Sequence, residues 1–180
     1  PRRNEELVEP LYTKRDAARA LDHRTPHGYD EWFEPGPGVR ARFWNAGHIL
    51  GSASIEVEVI DENGETIRLL FSGDLGPDEK VFYKEPDAPT GFDYILCEST
   101  YGGRNRDEYT LEQRRDALEQ EINAAMERGG NLVIPTFAVE RSQELLHDIG
   151  VLLAKREIPD CVVFLDSPLA TRVTEVFVKY

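Results

Sequence analysis

Apolar and polar residues alternate along Val39-Arg40-Ala41-Arg42-Phe43-Trp44 and again along Ser54-Ile55-Glu56-Val57-Glu58-Val59. A period of two predicts strands with one face on a core and the other in solvent. Asp61-Glu62-Asn63-Gly64 reads as a hairpin turn into a further strand, Thr66-Ile67-Arg68-Leu69-Leu70-Phe71. Tyr94-Ile95-Leu96-Cys97 is a continuous apolar run, the pattern of a strand buried on both faces. Ahead of the strands, Pro1 to Asn4 is polar and Leu7, Val8 and Leu11 make a short amphipathic segment. Thr13 with Asp16 approximates a capping box and predicts a helix from Lys14 to about Leu21. His23 to Gly28 and Pro35-Gly36-Pro37-Gly38 read as turns, the second introducing the first strand.

From Thr110 the period changes. Thr110 and Gln113 form a capping box, and Leu111, Leu118, Ile122 and Ala125 keep one helical face apolar up to Gly129-Gly130. Leu132-Val133-Ile134 predicts a short buried strand. Val139, Leu146, Ile149 and Leu153 mark a second helix that ends before Pro159. Cys161 to Leu165 predicts another strand, and a third helix begins near Ala170. Strand–helix alternation implies a parallel sheet with helices packed on it, hence an α/β chain that divides near Thr100.

Composition narrows the class. Forty percent apolar residues and 9% aromatics in 180 residues suffice for a packed core. No apolar run nears the ~20 residues that span a bilayer, and no signal peptide is visible. Cys97 and Cys161 lie beside apolar residues and are expected as reduced core thiols in a cytoplasmic protein, not as a zinc pair. A net charge of −13 argues against broad, nonspecific binding to nucleic acid, which relies on basic surface.

The candidate chemistry sits in glycine-rich turns. Asn45-Ala46-Gly47-His48-Ile49-Leu50-Gly51-Ser52-Ala53, Leu69-Leu70-Phe71-Ser72-Gly73-Asp74-Leu75-Gly76 and Leu96-Cys97-Glu98-Ser99-Thr100-Tyr101-Gly102-Gly103 each end an apolar run with a polar residue. Imidazole and carboxylate are good zinc ligands, so His48, Asp74 and Glu98 suggest one convergent site. His48 could equally be a surface histidine and Asp74 an ordinary turn aspartate. Glu98, ending a run without other charge, must be paired or face a cleft. Ser99, Thr100 and Tyr101 could line that cleft or merely cap turns. Arg104, Arg106, Arg114 and Arg115 are offset by Asp107, Glu108 and Glu112 and read as a solvated face, with phosphate contact the alternative. His23, His27 and His147 lack ligand spacing and read as surface residues.

Five blocks in order, AGHILGSA, FSGDLG, CESTYGG, GGNLVIPTFAVERSQELL and FLDSPLA, resemble the β-CASP branch of the metallo-β-lactamase superfamily from about Val39 to Tyr180. That branch contains nucleases similar to the nuclease subunit of the cleavage and polyadenylation machinery. The resemblance implies that residues 1–100 form the later part of a metallo-β-lactamase αββα sandwich and residues 101–180 the start of a β-CASP cap. It makes His48 a ligand of a two-zinc centre and Asp74 the carboxylate bridging both ions. Two divalent ions would add about four positive charges to this acidic chain, where phosphate must sit. Glu98 would orient a histidine supplied from further downstream, and Arg141 would have a structural or substrate-facing role. Asp166-Ser167-Pro168 matches a block of the branch, yet a helix start explains it without function.

The branch's His-x-His-x-Asp-His block is absent from these 180 residues, and the chain is expected to be an internal piece of a longer zinc-dependent ribonuclease, nearly inactive alone. The implied activity is RNA phosphodiester hydrolysis, endonucleolytic or 5′ exonucleolytic, by a zinc-bound hydroxide. RNA is the expected partner, a second copy of the chain an allowed one, and a membrane is not expected. The competing readings are a non-catalytic RNA-binding or scaffold subunit, a DNA-directed relative and a small-molecule hydrolase.

Overall fold

The computed structural model describes residues 10–77, 80–104 and 110–180. The segment around Leu7 and Val8, and Arg106, Asp107 and Glu108, lie outside the described residues. Helix α1, Lys14–Leu21, starts as expected: the Thr13 hydroxyl accepts from the Asp16 amide while the Asp16 carboxylate accepts from the Thr13 amide.

Five strands follow in one sheet: β1 (Phe33–Gly36), β2 (Val39–Asn45), β3 (Ala53–Ile60), β4 (Thr66–Phe71) and β5 (Tyr94–Leu96). They lie in chain order, the first four antiparallel and β5 parallel to β4. Both alternating segments and the Asp61–Gly64 turn fall where the periodicity puts them. Pro35–Gly38 differs from expectation, because it closes a hairpin whose first arm is β1.

The centre of this sheet's polar face is not solvated. Glu56 on β3 is fully buried and accepts from Arg42 Nε at 2.8 Å, Trp44 Nε1 at 2.8 Å and Arg68 Nε at 3.1 Å. The rings of Trp32 and Trp44 lie 4.5 and 4.3 Å from the Arg42 guanidinium, and Phe92 lies 5.0 Å from that of Arg68. Aromatic faces over guanidinium groups exclude water from the charges beneath them. The opposite error occurs at β5. Tyr94, Ile95 and Leu96 are each more than half exposed, because among the described residues this edge strand has a ladder partner only in β4. Cys97 is exposed, which corrects its expected place in a core, whereas Cys161 is half-buried against the core of the second half.

The second half contributes α2 (Leu111–Glu127), α3 (Arg141–Lys155) and α4 (Pro168–Phe177). Thr110 and Gln113 form the predicted capping box, and Ser167 caps α4 through the Ala170 amide. Ile122, Ile149, Leu152 and Ile158 are buried together, with Leu118, Leu145, Leu153 and Cys161 against them. The expected strands at Leu132–Ile134 and Cys161–Leu165 form no ladder: a strand needs a neighbour, and the described residues place none beside them. Val133, Val162 and Phe164 are accordingly exposed. The chain is thus α/β, with one mixed sheet and four helices among the described residues.

Arg114 and Arg115 are not part of a solvated face. Asp148 on α3, 1% exposed, accepts from Arg114 Nε and Arg115 Nε at 2.8 Å each, and Arg114 also reaches Glu144 at 3.3 Å. These pairs join α2 to α3. Replacing Asp148 by alanine leaves Arg115 without its carboxylate and Arg114 with Glu144 alone at a half-buried seam, and is expected to cost about 3 kcal/mol in urea denaturation. Asp148→Asn, which keeps an acceptor, is expected to cost less. His27 and His147 also differ from plain surface residues: His27 stacks on Phe33 at 3.9 Å between centroids, and His147 meets the edge of Phe82 at 5.5 Å.

Candidate functional site

The three glycine-rich turns meet at the ends of β2, β4 and β5. The first turn is held by Ser52, whose Oγ accepts from the amides of His48 and Ile49 at 3.0 and 3.1 Å. Tyr29 Oη donates to the Ser52 carbonyl at 2.9 Å, fixing the far side of the loop. Asn45 braces it from below, accepting from Gly47 N and donating through Nδ2 to the carbonyls of Lys84 and Glu85.

The second turn lies directly on the first. Gly76 N donates to the Ala46 carbonyl at 2.8 Å, and a Cβ at Gly76 would stand 1.7 Å from the Gly47 carbonyl oxygen. Only glycine permits this approach. Asp74 is exposed and has no hydrogen-bond partner among the described residues.

The third turn is bound to the second by Glu98. Its amide donates to Ser72 Oγ at 2.9 Å, and its carboxylate accepts from Leu75 N at 3.2 Å and Thr100 N at 3.0 Å. Hydrogen bonds from the hydroxyl and amide of Thr100 and the amide of Leu75 hold this carboxyl below its ordinary value, with a smaller contribution from His48. These bonds favour the ionised carboxylate, an acceptor.

His48, Asp74, Glu98 and Thr100 thus come from loops locked to one another, with Ser99 and the exposed Tyr101 on the same turn as Glu98. Arg141 stands elsewhere: it pairs with Glu144 at 3.0 Å and lines a cleft of about 700 Å³ between α2 and α3, beside Arg114 and Phe137. Among the described residues, no three His, Cys, Asp or Glu side chains are placed to hold a metal ion. His48 and Asp74 offer chemically suitable donors, but by themselves they do not fit a closed metal centre.

Sequence reasoning missed the residues that set this geometry. Ser52 and Ser72 stand inside the glycine-rich blocks, where a hydroxyl two to four residues from a turn is a detectable clue. Lys80 and Glu140 carried no such signal. Lys80 Nζ donates to the His48 carbonyl at 2.7 Å and to Glu140 Oε1 at 2.9 Å, although the two residues are 60 positions apart.

No family model matches the chain. It is 38% identical over 95% of its length to Ribonuclease TTHA0252 of Thermus thermophilus, of which it spans 37%. It is 32% identical over 83% of its length to the transcription termination factor FttA of Methanosarcina mazei, spanning 23% of that protein. Against the endoribonuclease YSH1 of Eremothecium gossypii the identity is 28%, over 96% of this chain and 22% of the relative. The chain therefore spans less than two fifths of each of these relatives. With five motif blocks in order and relatives of this kind across nearly its whole length, the chain belongs to the β-CASP branch of the metallo-β-lactamase superfamily.

Proposed function

We propose that this chain is part of a metal-dependent RNA phosphodiester hydrolase. The observation that supports the reading most is the locking of three loops: Gly76 N on the Ala46 carbonyl and Leu75 N on Glu98 join the loops that carry His48, Asp74 and Glu98. The relatives named ribonuclease and endoribonuclease supply the substrate class. In this reading His48 and Asp74 are two donors to a two-zinc centre, and the other donors come from outside these 180 residues. When bound, the ions supply positive charge where charge builds up on the phosphate. The chain's own contribution is positional. Ser52 and Gly76 fix the donor loops, and the ionised Glu98 accepts a hydrogen bond from an imidazole that must take or give a proton. Two unpaired cysteine thiols accord with a reducing, cytoplasmic setting.

Zinc content tests the donor count. After dialysis against a weak chelator the chain is expected to hold less than ~0.2 zinc per molecule, because two donors cannot retain the ion. Close to two zinc ions per chain would overturn this assignment. In a protein that carries the completed site, Asp74→Asn is expected to lower cleavage of a 5′-labelled RNA by about a hundredfold or more. Unchanged cleavage would remove Asp74 from the site.

A further inference from the structure

Glu140 is in an unusual position. Its backbone stands at φ 72° and ψ −65°, and Arg141 N donates to the Val139 carbonyl at 2.9 Å, so Glu140 is the centre of a strained γ-turn at the start of α3. Glu140 stands at the N-cap position of α3, but its side chain makes no capping bond. It points the other way and is buried, accepting from Lys80 Nζ at 2.9 Å and from Tyr83 Oη at 2.7 Å. Burial and the neighbouring carboxylate push the Tyr83 phenol up, so Tyr83 remains a donor to Glu140. Lys80 is equally enclosed, its side chain 2% exposed, and spends a second hydrogen bond on the His48 carbonyl at 2.7 Å. Strain of this kind persists only where its surroundings enforce it, and it gathers at functional sites.

We propose that Glu140 and Lys80 are positioning residues: a buried tether from the start of α3 that holds the His48 loop in place for its ligand. The pair is otherwise poorly explained. A buried ion pair is weak evidence for stability, and apolar residues of the same volume would serve packing as well. The lysine is needed because its ammonium can satisfy a carboxylate and a loop carbonyl together. The carbonyl it holds belongs to the residue whose ring is the candidate donor. The consequence for metal binding rests on the function proposed above; the tether itself does not.

The test is amide hydrogen exchange by NMR on the metal-free 180-residue chain. Lys80→Met alone would leave Glu140 buried with only Tyr83 and could unfold the protein. The informative variant is therefore Lys80→Met/Glu140→Gln, which leaves no unpaired buried charge. This double variant is expected to keep a melting temperature near that of the parent while the amides of His48 and Ile49 exchange about tenfold faster or more. Ile149→Val, which loosens the α2–α3 core away from the tether, should leave those two amides unchanged relative to its own global stability. A folded double variant with parental exchange at His48 and Ile49 would overturn the tether, as would equal acceleration in Ile149→Val. Zinc titrated into the same samples separates the two claims. Released amides whose neighbouring His48 ring never responds to zinc, even in a protein carrying the completed site, would sink the donor reading and leave the tether standing.

Discussion

Glu56→Ala is expected to cost about 3–5 kcal/mol, a large part of the 5–15 kcal/mol that stabilises a domain of ordinary size. The carboxylate is fully buried and neutralises Arg42 and Arg68 from the strands on either side of β3, while holding the Trp44 indole N–H. Its removal takes the shared anion from between two guanidinium groups beneath aromatic rings, leaving Arg42 only its outer pair with Asp30 at 2.7 Å and Arg68 only Glu58 at 3.6 Å. Urea unfolding followed by tryptophan fluorescence measures the loss directly, since Trp32 and Trp44 are the only tryptophans. Glu56→Gln keeps an acceptor and the shape but not the charge, and should fall between the parent and the alanine variant. A cost below about 1 kcal/mol for Glu56→Ala would mean that the network is solvated.

Acid should reveal the same network. Burial alone would raise the Glu56 pKa, but the hydrogen bonds of Arg42, Arg68 and Trp44 outweigh it and hold the carboxyl below its ordinary value of 4.5. A depressed folded value contributes stability that is present above the unfolded pKa and is lost as pH falls through the folded one. The parent should therefore lose stability progressively below about pH 4.5, and Glu56→Gln should lose less over that interval.

What the sequence disclosed and what it hid follow from range. Thr13, Thr110 and the alternation along β2, β3 and β4 are local patterns, and the structure places caps and strands there. Alternation identifies two faces of a strand but not what covers them. Glu56 therefore read as a solvated residue, because its cover comes from Trp32 in a loop and Phe92 before β5. The apolar runs at 94–97, 132–134 and 161–165 failed in the opposite direction. Their composition is that of buried strands, whereas burial depends on neighbours that the described residues do not provide. At the candidate site, glycine punctuation pointed to His48 and Asp74. The Lys80–Glu140 pair was invisible, since two charged residues 60 positions apart carry no shared period or motif.

Gly76→Ala is expected to damage the candidate site more than any other single methyl group. The added Cβ would lie 1.7 Å from the Gly47 carbonyl oxygen and 2.8 Å from His48 N, and both are backbone atoms that no rotamer change can move aside. Relief requires the Asp74 loop to withdraw from the His48 loop, which breaks the 2.8 Å bond from Gly76 N to the Ala46 carbonyl. Overpacking of this sort costs about 1–3 kcal/mol. The functional loss should be larger than the stability loss suggests, because a displacement of about 1 Å at a reacting centre can cost a hundredfold in rate. Gly103→Ala is the matched control: it lies in the Glu98 turn, and a Cβ there meets nothing within 4 Å. It should unfold within about 0.5 kcal/mol of the parent. Urea midpoints for the two variants, read with the amide shifts of His48 and Leu75, separate a local rearrangement from global weakening. If Gly76→Ala leaves those shifts and the midpoint at their parental values, the two loops are not in contact, and His48 and Asp74 do not share a site.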